Sequence, residues 1–220
     1  MSKALLFDFD GTFADTAHDL IGTANLIFKK YKKPLIKYEE GRSVASDGSK
    51  AFLKLRFDKE KCNFEKITQE FVECYRNNLH KNPILFDGIK NIIDLIEEKK
   101  LKWGIVTNKP REFTEKILCH NKLLDTIDVL ICGDDGFNLK PNPDMLLEAS
   151  RILGLAPFDI AYVGDAERDI CAAKAANMTA ILACYGYLKS TDKIDTWLTD
   201  KIIQTPVSYT HLRAHETADN

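Results

Sequence analysis

The chain has 220 residues, 45% of them hydrophobic and 29% charged, with a formal net charge of −2; that suffices for one sizeable core, or a core with a smaller insertion. No apolar run approaches a membrane span, and no lysine-rich tract or basic stripe interleaved with aromatics occurs, so neither a membrane nor a nucleic acid is expected as partner. The six cysteines form no CxxC pair and no zinc-site spacing, and the first apolar run breaks at Asp8, so reduced thiols and a cytoplasmic location are the expectation.

The first element in chain order is Ala4–Phe7 (ALLF), a continuous apolar run that predicts a strand buried on both faces. The pattern then changes. Over residues 15–82 apolar side chains recur at helical spacing, at Ala17, Leu20, Ile21, Ala24, Ile27, Phe28 and Tyr31 and again at Ile67, Phe71, Cys74, Tyr75 and Leu79. No strand pattern lies between them, and Pro34 and Pro83 punctuate the stretch, which predicts a small helical insertion.

A helix follows over 88–100, where Ile89, Ile92, Ile93 and Ile96 keep the helical period, and then a strand over 103–107 (WGIVT). Arg111 and Glu112 open the next helix, followed by a strand over 129–133 (VLICG). Pro143 and Gly154 frame a helix over 142–155, and further strands fall at 160–164 (IAYVG) and 179–184 (TAILAC). Apolar strands alternating with amphipathic helices predict an α/β fold with a doubly wound parallel sheet, Rossmann-like, built from residues 1–14 and 83–206.

From Val207 the segment VSYTHLRAHET has no periodicity and is similar to the in-frame translation of a transposase adapter used in sequencing libraries. Residues 207–220 are therefore expected to be foreign, with the natural C-terminus missing, and His211, Arg213 and His215 are set aside.

In open α/β sheets, ligands bind beyond the carboxyl ends of the strands. The polar residues there are Asp8 and Asp10, then Thr107 and Asn108 in VTNKP, Lys140 in LKPNP, and Asp165 with Asp169 in VGDAERDI. On extended chain Asp8 and Asp10 face one side and Phe9 the other, while Asp165 and Asp169 share one face of a starting helix. Carboxylates gathered together resist joint ionisation unless a cation joins them. With no histidine or cysteine in these loops the expected cation is hard, and Mg²⁺ fits because it is held by few carboxylates plus phosphate and water. Lys140 adds a point charge and Thr107 a donor, which describes a site for a phosphoryl group.

DFDGT, VTN, LKP and GDAERD, in that order and each after a predicted strand, resemble the four motifs of the haloacid dehalogenase superfamily, with the helical insertion in the place of its cap domain. The resemblance runs from the first residue to about Pro206, and within the superfamily it is nearest to phosphoglycolate phosphatases and N-acetylmuramic acid 6-phosphate phosphatases. It implies a phosphatase acting on a small phosphorylated metabolite. Asp8 would be the nucleophile and Asp10 the general acid and base. Asp8, the backbone carbonyl of Asp10 and Asp165 would hold Mg²⁺, supported by Asp169, and Thr107, Asn108 and Lys140 would bind substrate. A phosphosugar mutase of the same superfamily is the alternative. A signalling receiver domain also pairs acidic residues with Thr and Lys, but its phosphoacceptor follows the third strand.

Overall fold

The computed structural model describes residues 2–78 and 84–208. Leu79, Pro83 and the tail beyond Ser208, all named above, lie outside the described residues. The chain divides into two compact units, Met1–Ala14 with Leu85–Asn220, and Asp15–Ile84.

The first unit is built on strands β1 (Ala4–Phe7), β4 (Lys102–Val106), β5 (Val129–Ile131), β6 (Ile160–Gly164), β7 (Thr179–Ala183) and β8 (Lys201–Ile203). They form one sheet in the order β5-β4-β1-β6-β7-β8, parallel at every pairing. From β1 the chain first builds outward on one side and then returns to build on the other. The order thus reverses at β1, so its carboxyl end, with those of β4 and β6, borders the crevice in which α/β sheets bind ligands. The short strands β2 (Ala14–Asp15) and β3 (Ile84–Leu85) form a sheet of their own.

Alternation along the strands sorts the core. Ala4, Leu6, Tyr162, Ala180 and Leu182 join one buried cluster with Met145, Leu146, Ala149 and Leu153 of α7 (Asp144–Leu153) and Ile170, Ala172 and Ala173 of α8 (Glu167–Ala175). On β1 the alternate residue Phe7 meets Phe13 edge-on, and Phe13 stacks on Trp103 at 5.6 Å between ring centroids. The remaining helices of this unit are α5 (Ile89–Glu98) and α6 (Arg111–His120). α5 buries Ile89, Ile92, Ile93 and Ile96, the four residues whose spacing predicts it.

The second unit packs α1 (Ala17–Lys30) against α2 (Tyr38–Arg42), α3 (Ser49–Lys54) and α4 (Phe64–Asn78). Phe28 and Tyr31 close on Phe57, Phe52 stacks on Phe71, and Arg56 grips both carboxylate oxygens of Glu40. The helices α2 and α3, of five and six residues, are too short to show a period in sequence. The three-residue edge strand β8 is equally silent, with only Ile203 fully buried. No helix among the described residues is long and apolar enough to cross a membrane.

Phe9, just past β1, has no exposed surface, whereas Phe158 is 75% exposed. Phe9→Ala should cost about 3–5 kcal/mol of unfolding free energy, and Phe158→Ala should stay within about 0.5 kcal/mol, both read by urea denaturation.

Candidate active site

The carboxyl ends of β1, β4 and β6 deliver Asp8, Thr107 and Asp165, and the loop before α7 delivers Lys140. The Lys140 side chain is fully buried. Its ammonium lies 2.8 Å from Asp8 Oδ1, 2.7 Å from Asp169 Oδ1, 2.6 Å from the Tyr162 hydroxyl and 3.1 Å from the Val106 carbonyl oxygen. Three protons thus meet four acceptors. Tyr162 donates its own proton to Val106 at 2.7 Å, so its oxygen is left to accept from Lys140. Asn108 fixes the lysine's backbone from both sides, its amide donating to the Lys140 carbonyl at 3.1 Å and its oxygen accepting the Lys140 N–H at 3.0 Å.

Asp165 accepts from the Thr12 hydroxyl at 3.2 Å and from the Tyr187 backbone N–H at 2.7 Å. Gly11 makes this possible: it turns at φ +90°, and a Cβ there would collide with the Asp165 carboxylate. The second Asp169 oxygen accepts the N–H of Ala166 at 3.0 Å, which ties the start of α8 to the site.

Asp8, Asp165 and Asp169 are all buried and can bring one oxygen each within 4.8 Å of the others. Where four carboxylates are expected from the sequence, three meet; the Asp10 carboxylate stands outside this group and pairs with Lys109, at 2.9 and 3.0 Å to its two oxygens. Burial pushes the Asp8 carboxyl up, but Lys140 and then Arg168 outweigh it and hold it below the ordinary aspartate value. Burial dominates at Asp169, and with the nearby Asp8 charge it holds that carboxyl above the ordinary value despite Lys140. An all-oxygen set with excess negative charge suits a hard cation, and these residues fit one.

Thr107 is buried, and its hydroxyl accepts the Lys109 N–H at 3.2 Å, which leaves the hydroxyl proton to donate elsewhere. Sequence reasoning missed Lys109 and Tyr162. Lys109 sits inside the quoted VTNKP stretch, where a cation next to a strand-end threonine was the available signal. Tyr162 reads as one more core residue of β6, and nothing in the string reveals its hydroxyl contact.

The family model described as haloacid dehalogenase-like hydrolase matches residues 5–183. The chain belongs to that family. Among relatives of this haloacid dehalogenase-like hydrolase, a phosphoglycolate phosphatase of Xanthomonas campestris pv. campestris is 37% identical over 205 residues, 93% of each chain. An N-acetylmuramic acid 6-phosphate phosphatase of Pseudomonas putida is 34% identical over 207 residues, again 93% of each. In fold the hydrolase is similar to the crystal structure of a predicted phosphoglycolate phosphatase from Haemophilus somnus, with a TM-score of 0.85 and 22% identity, over 96% of this chain and 98% of that one.

Lys140→Met would leave Asp8 and Asp169 buried without their ammonium, and at pH 7 the hydrolase should lose about 3–5 kcal/mol of stability. In the native protein the depressed Asp8 stabilises above its unfolded value near 3.8, and this is lost as pH falls through its native value. The raised Asp169 has the opposite sign, stabilising fully below 3.8 and losing that as pH rises through its native value. Without Lys140 both carboxyls move up, so the variant's deficit should shrink on going from pH 7 to about pH 5. Urea unfolding of both proteins at the two pH values checks this; an equal deficit at both would contradict it.

Proposed function

We propose that the protein is a Mg²⁺-dependent phosphatase that hydrolyses a small phosphomonoester through an aspartyl-phosphate on Asp8. The observation that carries this reading is the buried Asp8 carboxylate, kept ionised 2.8 Å from the Lys140 ammonium, with Asp10 two residues on and bound to a different lysine. An anionic carboxylate at a strand end is a competent nucleophile toward phosphorus. The named phosphatases among its relatives support the same chemistry.

Asp8, Asp165 and the backbone carbonyl of Asp10 would hold the metal, with Asp169 behind them, and Mg²⁺ when bound supplies positive charge to the phosphoryl oxygens. The rest belongs to the chain. An Asp8 oxygen bonds to phosphorus as the bond to the leaving oxygen breaks, and Asp10 gives that oxygen a proton. A water then attacks the phosphorus and loses a proton to Asp10, the Asp8–phosphorus bond breaks, and phosphate leaves with both aspartates restored. The Thr107 hydroxyl and Lys140 stabilise the charge spread over the transferring oxygens, and Asn108 holds Lys140 in register for it. Both substrates named by the relatives, 2-phosphoglycolate and N-acetylmuramic acid 6-phosphate, are small phosphomonoesters, and both are candidates here.

Phosphate release from a panel of phosphomonoesters including these two, with Mg²⁺ and with chelator, tests the reading. Release should require Mg²⁺ and fall by about 10³-fold or more in Asp8→Asn. Turnover that survives the chelator or that substitution would overturn it, and interconversion of hexose phosphates without phosphate release would make the protein a mutase.

A further inference from the structure

Lys109 is buried, its side chain only 4% exposed, and its ammonium donates to both oxygens of Asp10, at 2.9 and 3.0 Å. The Asp10 side chain is 17% exposed, and its backbone forms an isolated bridge with Ala14 around the turn at Gly11. The lysine is delivered on a braced segment. Its N–H donates to the Thr107 hydroxyl at 3.2 Å, and its carbonyl accepts the Gly133 N–H at 3.0 Å. Gly133 is required for that bond, since a Cβ there would collide with the Asn108 carbonyl. Pro110 follows directly and caps α6 from outside in an extended conformation.

Two lysines therefore serve two aspartates two residues apart, Lys140 with Asp8 and Lys109 with Asp10. A general acid and base must lie within hydrogen-bond reach of its proton, first at the leaving oxygen and then at the water, and small misplacements are expensive. When Asp10 carries the proton for the first step on one oxygen, its other oxygen stays on the braced ammonium; once that proton has gone to the leaving oxygen, the carboxylate is held through both oxygens for the second step, so its orientation is kept. We infer that Lys109 is the positioning residue for Asp10, holding its carboxylate in place for proton delivery and for activation of water. This rests on the role given to Asp10 in the proposed function.

The test uses the full chain with Mg²⁺ and variants Lys109→Met, Lys109→Arg and Asp10→Asn. With an alkyl phosphomonoester, Lys109→Met should lower kcat about 10²-fold with KM within about threefold, and Lys109→Arg should recover about tenfold of that loss by restoring a cation. With p-nitrophenyl phosphate, whose leaving oxygen departs without a proton, phosphorylation of Asp8 should be nearly spared. Hydrolysis still needs Asp10, so acid-quenched Lys109→Met should accumulate aspartyl-phosphate. In the Asp10→Asn background, Lys109→Met should add less than about a twofold further loss, because the lysine acts through that carboxylate. Lys109→Gln, which keeps a donor without the charge, replaces Lys109→Met in the same cycle if thermal unfolding shows the methionine variant unfolded.

Unchanged kcat in Lys109→Met, a raised KM at normal kcat, or a full additional loss in the Asp10→Asn background would each overturn the inference; the second would make Lys109 a contact for substrate instead. Absence of Asp8-dependent phosphate release in the unsubstituted protein would overturn the underlying function, a different result from any of these.

Discussion

The site depends on one buried ammonium. Lys140 reaches the sheet from a loop between β5 and α7 and lies between Asp8 and Asp169, which would otherwise be two buried carboxylates facing each other. Desolvating such charges is costly unless each is paired and hydrogen-bonded. The surroundings supply both conditions: Tyr162 and Val106 share the remaining ammonium proton, and Asn108 fixes the backbone that carries the lysine. β1, β4, β6 and the start of α8 are thereby tied to a single point at the reversal of strand order.

The same constraint separates the two aspartates of the DFDGT stretch. Asp8 is buried in the Lys140 network with its charge favoured, which suits a group that must attack. Asp10 stands outside that group of carboxylates and is held by Lys109 with its side chain 17% exposed, which suits the proton exchange proposed for it. Neighbouring acids of the same type thus meet different cations at different burial, which fits the different work proposed for them.

Much of this was legible in the sequence, for identifiable reasons. β1, β4, β6 and β7 are central, buried on both faces, and so appear as unbroken apolar runs; α5 and α7 carry strong 3.6-residue periods between clear terminal signals. Elements without enough length to repeat a pattern, α2, α3 and β8, left no trace. In the site, residue type and strand-end position singled out Asp8, Asp165, Asp169 and Lys140. Pairing between side chains was not legible. That Asp10 would leave the carboxylate cluster for Lys109, and that Tyr162 would turn its hydroxyl onto Lys140, depends on side-chain directions across loops distant in sequence.

The division of labour proposed for Asp8 and Asp10 has a direct measurement. Turnover of a phosphomonoester with Mg²⁺, quenched in acid and mapped by peptide mass spectrometry, locates any phosphoryl group carried by the chain. A phosphoryl group on Asp8, absent from Asp8→Asn and enriched in Asp10→Asn, is the expected result. A phosphoryl group on Asp10 or on another residue, or none under conditions in which Asp10→Asn still binds substrate and releases the leaving group, would contradict it.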